Sequence, residues 1–190
     1  MISAILLAAG QSKRISKENK LIKKFKDKPL INHILKSLIK SKVNEIIIVL
    51  GHDHHKVKKI LLKNKKITLT INKNYKNGMS SSIKYGLKKI KNRTKGFMIV
   101  QSDMPFIKPS HINKIYTSLL IKDYLVHALK YKNIIGNPIG FNKTVINKFK
   151  KLKGDIGAKY MVKKLKKNTN FIKVNSKKIF KDLDLKKDFN

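Results

Sequence analysis

The order of apolar and polar residues along the chain predicts alternating strands and helices. Continuous apolar runs predict strands over residues 4–8, 45–51, 67–71, 96–101, 124–130 and 171–174. Apolar residues at helical spacing predict helices over residues 30–41, 53–62, 80–90 and 109–121. Because the strand runs do not alternate with polar residues, both faces of the sheet should be covered, as in a mostly parallel sheet with right-handed crossovers. The pattern therefore predicts an α/β fold.

The chain has 190 residues, of which 41% are hydrophobic and none is cysteine. This length fits one domain over residues 1–190, and the lack of cysteine excludes disulfides and thiolate metal sites. No apolar run approaches the roughly 18 residues of a membrane span, so no membrane partner is expected. The apolar N-terminal run has no Lys or Arg before it. It is interpreted as a buried strand rather than a signal peptide, and a cytoplasmic location is expected.

The formal net charge of +36 raises the question of nucleic-acid binding. All of the 46 basic residues except Arg14 and Arg93 are lysines, and they occur in nearly every segment. Since base readout and bidentate phosphate contacts favour arginine, most of this charge is interpreted as solvated surface. A basic nucleic-acid-binding protein remains an alternative that charge alone supports. The excess charge should in any case attract anionic ligands in a salt-sensitive manner.

Small residues and two cations follow the first predicted strand, at the edge of the sheet where open α/β folds bind ligands. Backbone N–H groups of small residues can approach a triphosphate closely, and nearby cations can neutralise its charge. The segment contains neither a Walker loop nor a dinucleotide-binding fingerprint. The predicted nucleotide-binding residues here are Leu7, Ala8, Ala9, Gly10, Arg14 and Lys20. The alternative interpretation is a surface turn with two solvated cations.

Acidic residues are rare, ten in all, so the position of each is informative. Ser102 and Asp103 directly follow the fourth predicted strand, and a carboxylate there suits Mg²⁺, which prefers one or two carboxylates together with water and phosphate oxygens. The alternative is an aspartate that caps a turn before the next proline. Asp182, Asp184 and Asp188 lie close together near the C-terminus, and they are interpreted either as a further metal ligand or as a surface turn.

A glycine and three serines follow the third predicted strand. Gly78 permits a sharp turn, and Ser80, Ser81 and Ser82 then begin a helix. Free N–H groups and hydroxyls at the start of a helix suit an anionic or polar ligand. A plain serine N-cap is the alternative interpretation.

Three histidines, His52, His54 and His55, follow the second predicted strand. Histidine clusters can bind zinc. The favoured interpretation is structural: Asp53 caps the next helix, and the histidines lie on its exposed first turn.

Several motifs occur together in one order along the chain: "LLAAGQSKR" with a later lysine, "NYKNGMSSSIKYG", "SDMPFI", "GNPIGF", "GDIGAK" and "KDLDLKKD". In this order the sequence resembles the MobA-like nucleotidyltransferases, and within them the molybdenum cofactor cytidylyltransferase branch. The resemblance extends over essentially the whole chain. It implies a Rossmann-like three-layer α/β sandwich of the nucleotidyltransferase type that uses a nucleoside triphosphate with Mg²⁺ as its cofactor.

The resemblance also implies roles for particular residues. Arg14, Lys20 and Asp103 are expected to be catalytic, and Ser102 and Asp103 to complete the nucleotide site. Asp103, Asp182 and Asp184 are the implied Mg²⁺ ligands. The implied acceptor-binding residues are Gly78, Met79, Ser80, Ser81, Ser82, Asn137, Pro138 and Asp155.

The implied reaction is an attack of the terminal phosphate of molybdopterin on the α-phosphorus of CTP, with release of pyrophosphate. Ala9 and the "GMSSS" segment favour CTP, because the guanylyl branch typically has glycine where Ala9 stands. A guanylyl transfer or a sugar-phosphate acceptor on the same fold remains an alternative. A molybdoenzyme or its chaperone is the expected transient partner.

Overall fold

The computed structural model describes residues 1–11, 19–184 and 188–189. Its strands are β1 (Ile2–Ala8), β2 (Lys24–Phe25), β3 (Lys28–Pro29), β4 (Glu45–Leu50), β5 (Ile67–Ile71), β6 (Gly96–Gln101), β7 (Val126–Tyr131), β8 (Ile134–Asn142) and β9 (Thr169–Lys173). Its α-helices are α1 (Leu30–Ile39), α2 (His54–Ile60), α3 (Met79–Leu87), α4 (Pro109–Ile121), α5 (Ile146–Lys150) and α6 (Ala158–Lys164). Short 3₁₀ helices cover Tyr75–Asn77, Lys143–Val145, Lys166–Asn168 and Lys177–Phe180. Within these residues no helix is both long and apolar enough to cross a membrane.

Seven strands form one sheet in the order β5-β4-β1-β6-β8-β7-β9. β1 lies between β4 and β6 and is parallel to both, and β5 is parallel to β4. β8 runs antiparallel to its neighbours β6 and β7, and β9 is parallel to β7. The chain first builds outward from β1 through β4 to β5 and then returns to β6 on the other side. The carboxyl ends of β1 and β6 therefore flank the switch point at which such sheets bind ligands.

Helices cover both faces of this sheet. Because successive strand residues point to opposite sides, each strand contributes side chains to both helical layers. In β4, Ile46, Ile48 and Leu50 pack in the core cluster that contains residues of α1, α2 and α4. Ile47 and Val49 pack in the opposite cluster with residues of α3, α5 and α6. The mostly parallel sheet that the continuous apolar runs predict, covered on both faces, is thus confirmed, and so is the three-layer α/β sandwich that the family resemblance implies.

Most predicted elements lie within two residues of their observed bounds, and β5, β6 and α4 agree with them. α1, α2 and α3 end two or three residues before their predicted ends. β8 was not predicted, because Pro138 and the neighbouring glycines in "GNPIGF" are typical of turns. The register of β7 against β8 shifts between Ala128 and Leu129, so residues 137–138 fall in an irregular part of the ladder, where a proline without an N–H group is tolerated. The short helices α5 and α6 were also not predicted.

A buried polar network joins three elements on the β7 side of the sheet. His127 is fully buried, and its Nδ1 lies 2.7 Å from the Ser118 hydroxyl. Its Nε2 lies 3.1 Å from the carbonyl oxygen of Tyr124, so Nε2 carries the proton and Nδ1 accepts from Ser118. Asn170 donates to the same hydroxyl at 2.7 Å. Burial lowers the pKa of His127, and the nearby Lys122 adds to this, against a rise from the Tyr124 hydrogen bond.

This burial makes folding stability depend on pH. Because the pKa of His127 is lower in the folded chain, its stabilising contribution is present above the unfolded value of about 6.5 and is lost as pH falls towards the folded pKa. The free energy of unfolding should decrease on acidification from pH 7.5 to 5, by at most about 1.4 kcal/mol per pH unit for one proton. Denaturant unfolding at several pH values measures this slope.

His127→Gln should remove the part of the slope that belongs to this residue. Burial also lowers the pKa of His111, so His111 should still contribute its part of the slope in this variant. His111→Gln, which retains His127, serves as the matched control. An unchanged slope in the His127 variant would contradict the assignment.

Candidate active site

A cleft of about 460 Å³ opens at the carboxyl ends of β1 and β6. Five segments contribute to its lining: the end of β1 with the residues after it, the loop after β5 with the start of α3, the end of β6, the loop between α5 and α6, and the C-terminal segment. The lining residues are Leu7, Ala9, Gly10, Gln11, Lys20, Leu21, Tyr75, Lys76, Gly78, Met79, Ser82, Gln101, Ser102, Asp103, Asp155, Asp182 and Asp184. The fold thus brings together most of the segments that the sequence analysis singled out separately.

The loop after β1 is held by close backbone contacts. The Ser102 hydroxyl donates to the carbonyl oxygen of Leu7 at 2.7 Å, which ties the end of β6 to β1. The N–H of His52 donates to the carbonyl oxygen of Ala9 at 3.3 Å. A Cβ on Gly51 would lie 2.7 Å from the Cβ of Ala9, so a larger residue would push the loop outward. The main chain around Gly10 is therefore fixed at the mouth of the cleft.

One described residue of the predicted nucleotide site does not line this cleft, and another residue lies outside the part of the chain that the structure describes. Ala8 is buried in the core and faces away from it. Arg14 lies outside the described residues, so its role remains a prediction. Leu7, Ala9, Gly10 and Lys20 do line the cleft.

Lys20 lies between two carboxylates at the floor of the cleft. Its Nζ is 2.6 Å from Asp103 Oδ2 and 2.5 Å from Asp184 Oδ1, and it donates to the carbonyl oxygen of Leu183 at 3.3 Å. The side chains of Lys20, Asp103 and Asp184 are 13%, 17% and 24% exposed, so the ion pairs are largely shielded from solvent. These contacts join three distant parts of the chain at one point.

Asn19 positions this lysine, and the sequence analysis did not identify it. The side chain is buried; its amide donates to the carbonyl oxygen of His52 at 3.2 Å, and its Oδ1 accepts from the N–H of Leu21 at 3.1 Å. Asn19 therefore fixes the main chain on either side of Lys20. The available signal was its position directly before the predicted cation.

The C-terminal segment reaches the cleft through a backbone contact. The N–H of buried Leu183 donates to the carbonyl oxygen of Asp103 at 3.1 Å. The N–H of Asp184 donates to Asp188 Oδ2 at 3.0 Å, and Asp188 Oδ1 lies 2.9 Å from Lys181 Nζ. Asp184 thereby points to Lys20, whereas Asp182 is exposed at the rim.

The charges at the floor of the cleft do not balance. Burial raises the pKa of Asp103 above its ordinary value, and attraction to Lys20 offsets this only in part; the negative charge of Asp182 raises it further. Burial also acts to lower the pKa of Lys20, but its interactions with Asp103 and Asp184 outweigh burial, and the net pKa is raised. Lys20 is therefore held as an ammonium that two carboxylates share, and these three side chains include one more acidic group than basic groups.

These residues fit a divalent cation. Asp103 Oδ1 is buried and has no hydrogen-bond partner, which costs free energy unless a bound group contacts it. Asp103 and Asp184 approach the same ammonium, so their oxygens surround a position that suits a cation. Two carboxylates are sufficient for Mg²⁺, which takes its other ligands from water and substrate phosphates. Among the described residues no group of three or more His, Cys, Asp or Glu side chains is close enough to hold a metal alone.

The start of α3 is covered by the segment around Asp155. Asp155 Oδ1 accepts from the N–H of Met79 at 3.2 Å, and the carbonyl oxygen of Gly154 accepts from the N–H of Ser80 at 3.2 Å. Gly78 has a φ of 88°, and a Cβ there would lie 2.4 Å from the carbonyl carbon of Gly154, so this contact requires glycine. The prediction that this helix start offers free N–H groups to a ligand is wrong for Ser80 and Ser81, because the carbonyl oxygens of Gly154 and Gly78 accept from them.

The three serines of α3 face different surfaces. Ser82 lines the cleft, and its hydroxyl accepts from the side chain of Asn72 at 3.0 Å. Ser80 and Ser81 line a separate depression with Asn74 and Lys84. The role of this segment in acceptor binding therefore remains a prediction. The geometry favours it for the residues that line the cleft, which are Gly78, Met79, Ser82 and Asp155, and not for Ser80 and Ser81.

Asn137 and Pro138 lie in β8, two sheet positions away from β1, and neither lines the cleft. Asn137 is 4% exposed, and its Oδ1 has no hydrogen-bond partner. They are placed beyond Ile139, which pairs with Ile99 in β6, and so lie at the level of the end of β6. The role of Asn137 and Pro138 in acceptor binding therefore remains a prediction.

The histidines after β4 are placed mainly by local contacts. Asp53 is the N-cap residue of α2, but its side chain makes no capping hydrogen bond and instead lies 3.3 Å from His52 Nε2. The rings of His54 and His55 lie 3.9 Å apart on the first turn of α2. The N-cap position was thus predicted, while the expected side-chain cap is not made.

Asp182 and Asp184 differ in exposure and in contact with Lys20, so substitutions of the two can be compared directly. Asp184→Asn should slow any metal-dependent transfer at this site by about 10²-fold, because it removes a charge that faces Asp103 across Lys20. Asp182→Asn should change the rate by less than about threefold, since an exposed charge is screened by solvent. Steady-state rates of the two variants measure this difference, and equal losses would contradict the separation of their roles.

The loop after β1, a largely shielded lysine and paired carboxylates at the switch point of a mostly parallel sheet define the site as that of a nucleotidyltransferase-type α/β protein. The family model for the MobA-like NTP transferase domain matches residues 4–169. The chain belongs to this family.

Similar proteins agree with this assignment. The bifunctional protein GlmU of Thermosipho africanus is 30% identical over 190 residues, which cover 95% of this chain and 40% of that protein. A 2-C-methyl-D-erythritol 4-phosphate cytidylyltransferase of Lachnoclostridium phytofermentans is 30% identical over 139 residues, which cover 70% of this chain and 58% of that protein. The crystal structure of Rv0371c from Mycobacterium tuberculosis H37Rv superimposes with a TM-score of 0.86 at 20% identity, covering 99% of this chain and 95% of that chain. The chain spans less than half the length of GlmU.

Proposed function

We propose that this chain is a Mg²⁺-dependent cytidylyltransferase that transfers CMP from CTP to molybdopterin and releases pyrophosphate. The observation that carries the proposal is the arrangement of Asp103, Asp184 and Lys20 at the switch point beside the loop after β1. This arrangement offers both a cation site and an ammonium group within reach of a triphosphate. A molybdoenzyme or its chaperone is the proposed recipient of the product.

The chemistry requires charge neutralisation and positioning more than proton transfer. A phosphate monoester is already largely ionised at pH 7, so the acceptor needs no general base. One of its oxygens would form a bond to the α-phosphorus of CTP while the bond to the pyrophosphate oxygen breaks. Backbone N–H groups near Gly10 would bind the triphosphate, and Lys20 would neutralise the charge that develops on the leaving pyrophosphate. When bound by Asp103 and Asp184, Mg²⁺ would supply further neutralisation of the phosphate oxygens.

Three observations support CTP and a divalent metal. Ala9 lines the cleft at the position where the guanylyl branch typically has glycine, and one relative is itself named a cytidylyltransferase. A structure of Rv0371C is described as a complex with manganese, and that chain shares this fold. The choice of molybdopterin as acceptor rests on the combination of sequence motifs.

A second candidate acceptor is 2-C-methyl-D-erythritol 4-phosphate. The observation that favours it is the relative named for transfer to that compound, together with a structure of the 4-diphosphocytidyl-2C-methyl-D-erythritol synthase from Anaerococcus prevotii that superimposes with a TM-score of 0.77. Both candidates use CTP and an anionic phosphate acceptor. They differ in the group that must fill the cleft beside Ser82 and Met79.

Pyrophosphate release distinguishes these candidates. Each of the four nucleoside triphosphates is incubated with Mg²⁺ and with molybdopterin, 2-C-methyl-D-erythritol 4-phosphate, a hexose 1-phosphate or no acceptor. The proposal predicts release that requires both CTP and molybdopterin. Release that requires GTP, or another acceptor, would replace the substrate assignment, and no release from any combination together with salt-sensitive DNA binding would favour the nucleic-acid alternative.

A further inference from the structure

Lys20 occupies a position that is arranged like a cation site. Oxygen atoms from three residues surround its Nζ: Asp103 Oδ2 at 2.6 Å, Asp184 Oδ1 at 2.5 Å and the carbonyl oxygen of Leu183 at 3.3 Å. Carboxylate and carbonyl oxygens are also the groups that hard divalent cations bind. The ammonium and a metal ion would therefore compete for the same oxygens.

We propose that the Lys20 ammonium holds the metal position while the cleft has no nucleotide, and that it leaves this position for the triphosphate when the metal and CTP bind together. This inference rests on the proposed function, because it requires that Asp103 and Asp184 hold the metal. It goes further by assigning the lysine a second position and by making metal affinity conditional on the nucleotide.

The physical basis is the cost of moving a buried charge. Lys20 is 13% exposed, so a metal that displaces it from the carboxylates leaves an ammonium without counter-ions in a shielded site. A triphosphate removes this cost, because its oxygens become the new partners of the ammonium. Lysine is suited to such a change, since its point charge is carried on a flexible four-carbon stem. The metal and the nucleotide should therefore bind with positive coupling.

The Lys20 ammonium should also stabilise the metal-free chain. Without a cation, Asp103 and Asp184, whose oxygens approach the same position, would face each other as like charges near a third acid, Asp182, at the rim of the cleft. Removing the Lys20 charge should thus destabilise the metal-free chain, and a divalent cation should restore the lost stability by mass action. The same substitution should make the metal site easier to fill.

The test measures Mn²⁺ binding in the absence of nucleotide. The electron paramagnetic resonance signal of free Mn²⁺ is the readout. Lys20→Met removes the charge and keeps an unbranched side chain of nearly the same length, and it should bind Mn²⁺ at least tenfold more tightly than wild type, about 1.4 kcal/mol. The Lys20→Met, Asp103→Asn double variant should lose this gain. Lys66→Met is the matched control: Lys66 is partly buried and donates to the carbonyl oxygens of Ile39 and Ser41 at 3.1 and 2.9 Å.

Each outcome decides the proposal. Equal Mn²⁺ affinity of the wild type and Lys20→Met would overturn it, as would an equal gain in Lys66→Met, which would show a general effect of net charge. Should Lys20→Met be unfolded in chelator, recovery of the fold on adding Mn²⁺ supports the proposal, and failure to recover in about 10 mM Mn²⁺ overturns it.

The experiments distinguish a failure of this inference from a failure of the proposed function. A wild-type chain that transfers nucleotide while Lys20→Met binds Mn²⁺ no more tightly refutes only the exchange of cations. Tighter Mn²⁺ binding by Lys20→Met with no transfer by wild type refutes only the proposed reaction.

Discussion

Asp103→Asn is expected to lower the rate of nucleotidyl transfer by at least about 10³-fold while the chain remains folded. The asparagine amide keeps the size of the side chain but removes the charge that a metal ion requires. Asp103 Oδ1 is buried without a hydrogen-bond partner, so the native residue has an oxygen oriented for a bound group. Lys20 retains Asp184 as a partner in the variant, which limits the structural loss. Single-turnover rates with CTP, acceptor and saturating Mg²⁺ measure the effect.

Asp123→Asn provides the matched control for this experiment. Asp123 is exposed in the loop that precedes β7, at the amino end of that strand, whereas the cleft lies at the carboxyl ends of β1 and β6. The same chemical change there should leave the rate within about twofold, because a single exposed charge contributes little. A rate near wild type for Asp103→Asn, with normal circular dichroism, would show that Asp103 does not bind the metal.

Lys20→Met is expected to reduce kcat/KM for CTP by about 10²-fold or more, through both a higher KM and a lower kcat. The ammonium should bind the triphosphate in the ground state and stabilise the additional charge on the departing pyrophosphate. The loss should occur even though the metal-free variant is expected to bind Mn²⁺ more tightly. Steady-state kinetics at several fixed concentrations of Mg²⁺ separate these two effects.

Bulk electrostatics is the alternative explanation of any lysine substitution in a chain with a net charge of +36. Lys66→Met changes the net charge by the same amount, and Lys66 donates to carbonyl oxygens at the C-terminal end of α1, which do not line the cleft. Its kcat/KM should differ from wild type by less than about twofold at physiological ionic strength. A loss equal to that of Lys20→Met would assign the effect to overall charge.

The sequence pattern predicted the parts of the molecule in which one local signal dominates. β4 and β6 are continuous apolar runs, and such runs are buried on both faces wherever helices cover a parallel sheet. The position of Asp103 directly after β6 then placed it at the carboxyl edge of the sheet without any tertiary information. The scarcity of acids strengthened that prediction, because four of the ten line the cleft.

The remaining features depend on contacts between distant residues. The distinction between Asp182 and Asp184 comes from buried Leu183, whose N–H binds the carbonyl oxygen of Asp103 and turns Asp184 towards Lys20. The capped start of α3 depends on Asp155, 76 residues away from Met79. No local pattern of apolar and polar residues carries this information. The contact between Lys20 and both carboxylates likewise joins segments separated by 83 and 164 residues.

The most direct test of the account follows the α-phosphorus of the nucleotide. Wild-type protein is incubated with Mg²⁺, molybdopterin and CTP labelled at the α-phosphorus, and the products are separated and identified by mass. The account predicts that the label moves to a CMP–molybdopterin conjugate and that one pyrophosphate forms for each conjugate. Label that stays in CTP, or that enters a different acceptor when several are offered together, would contradict it.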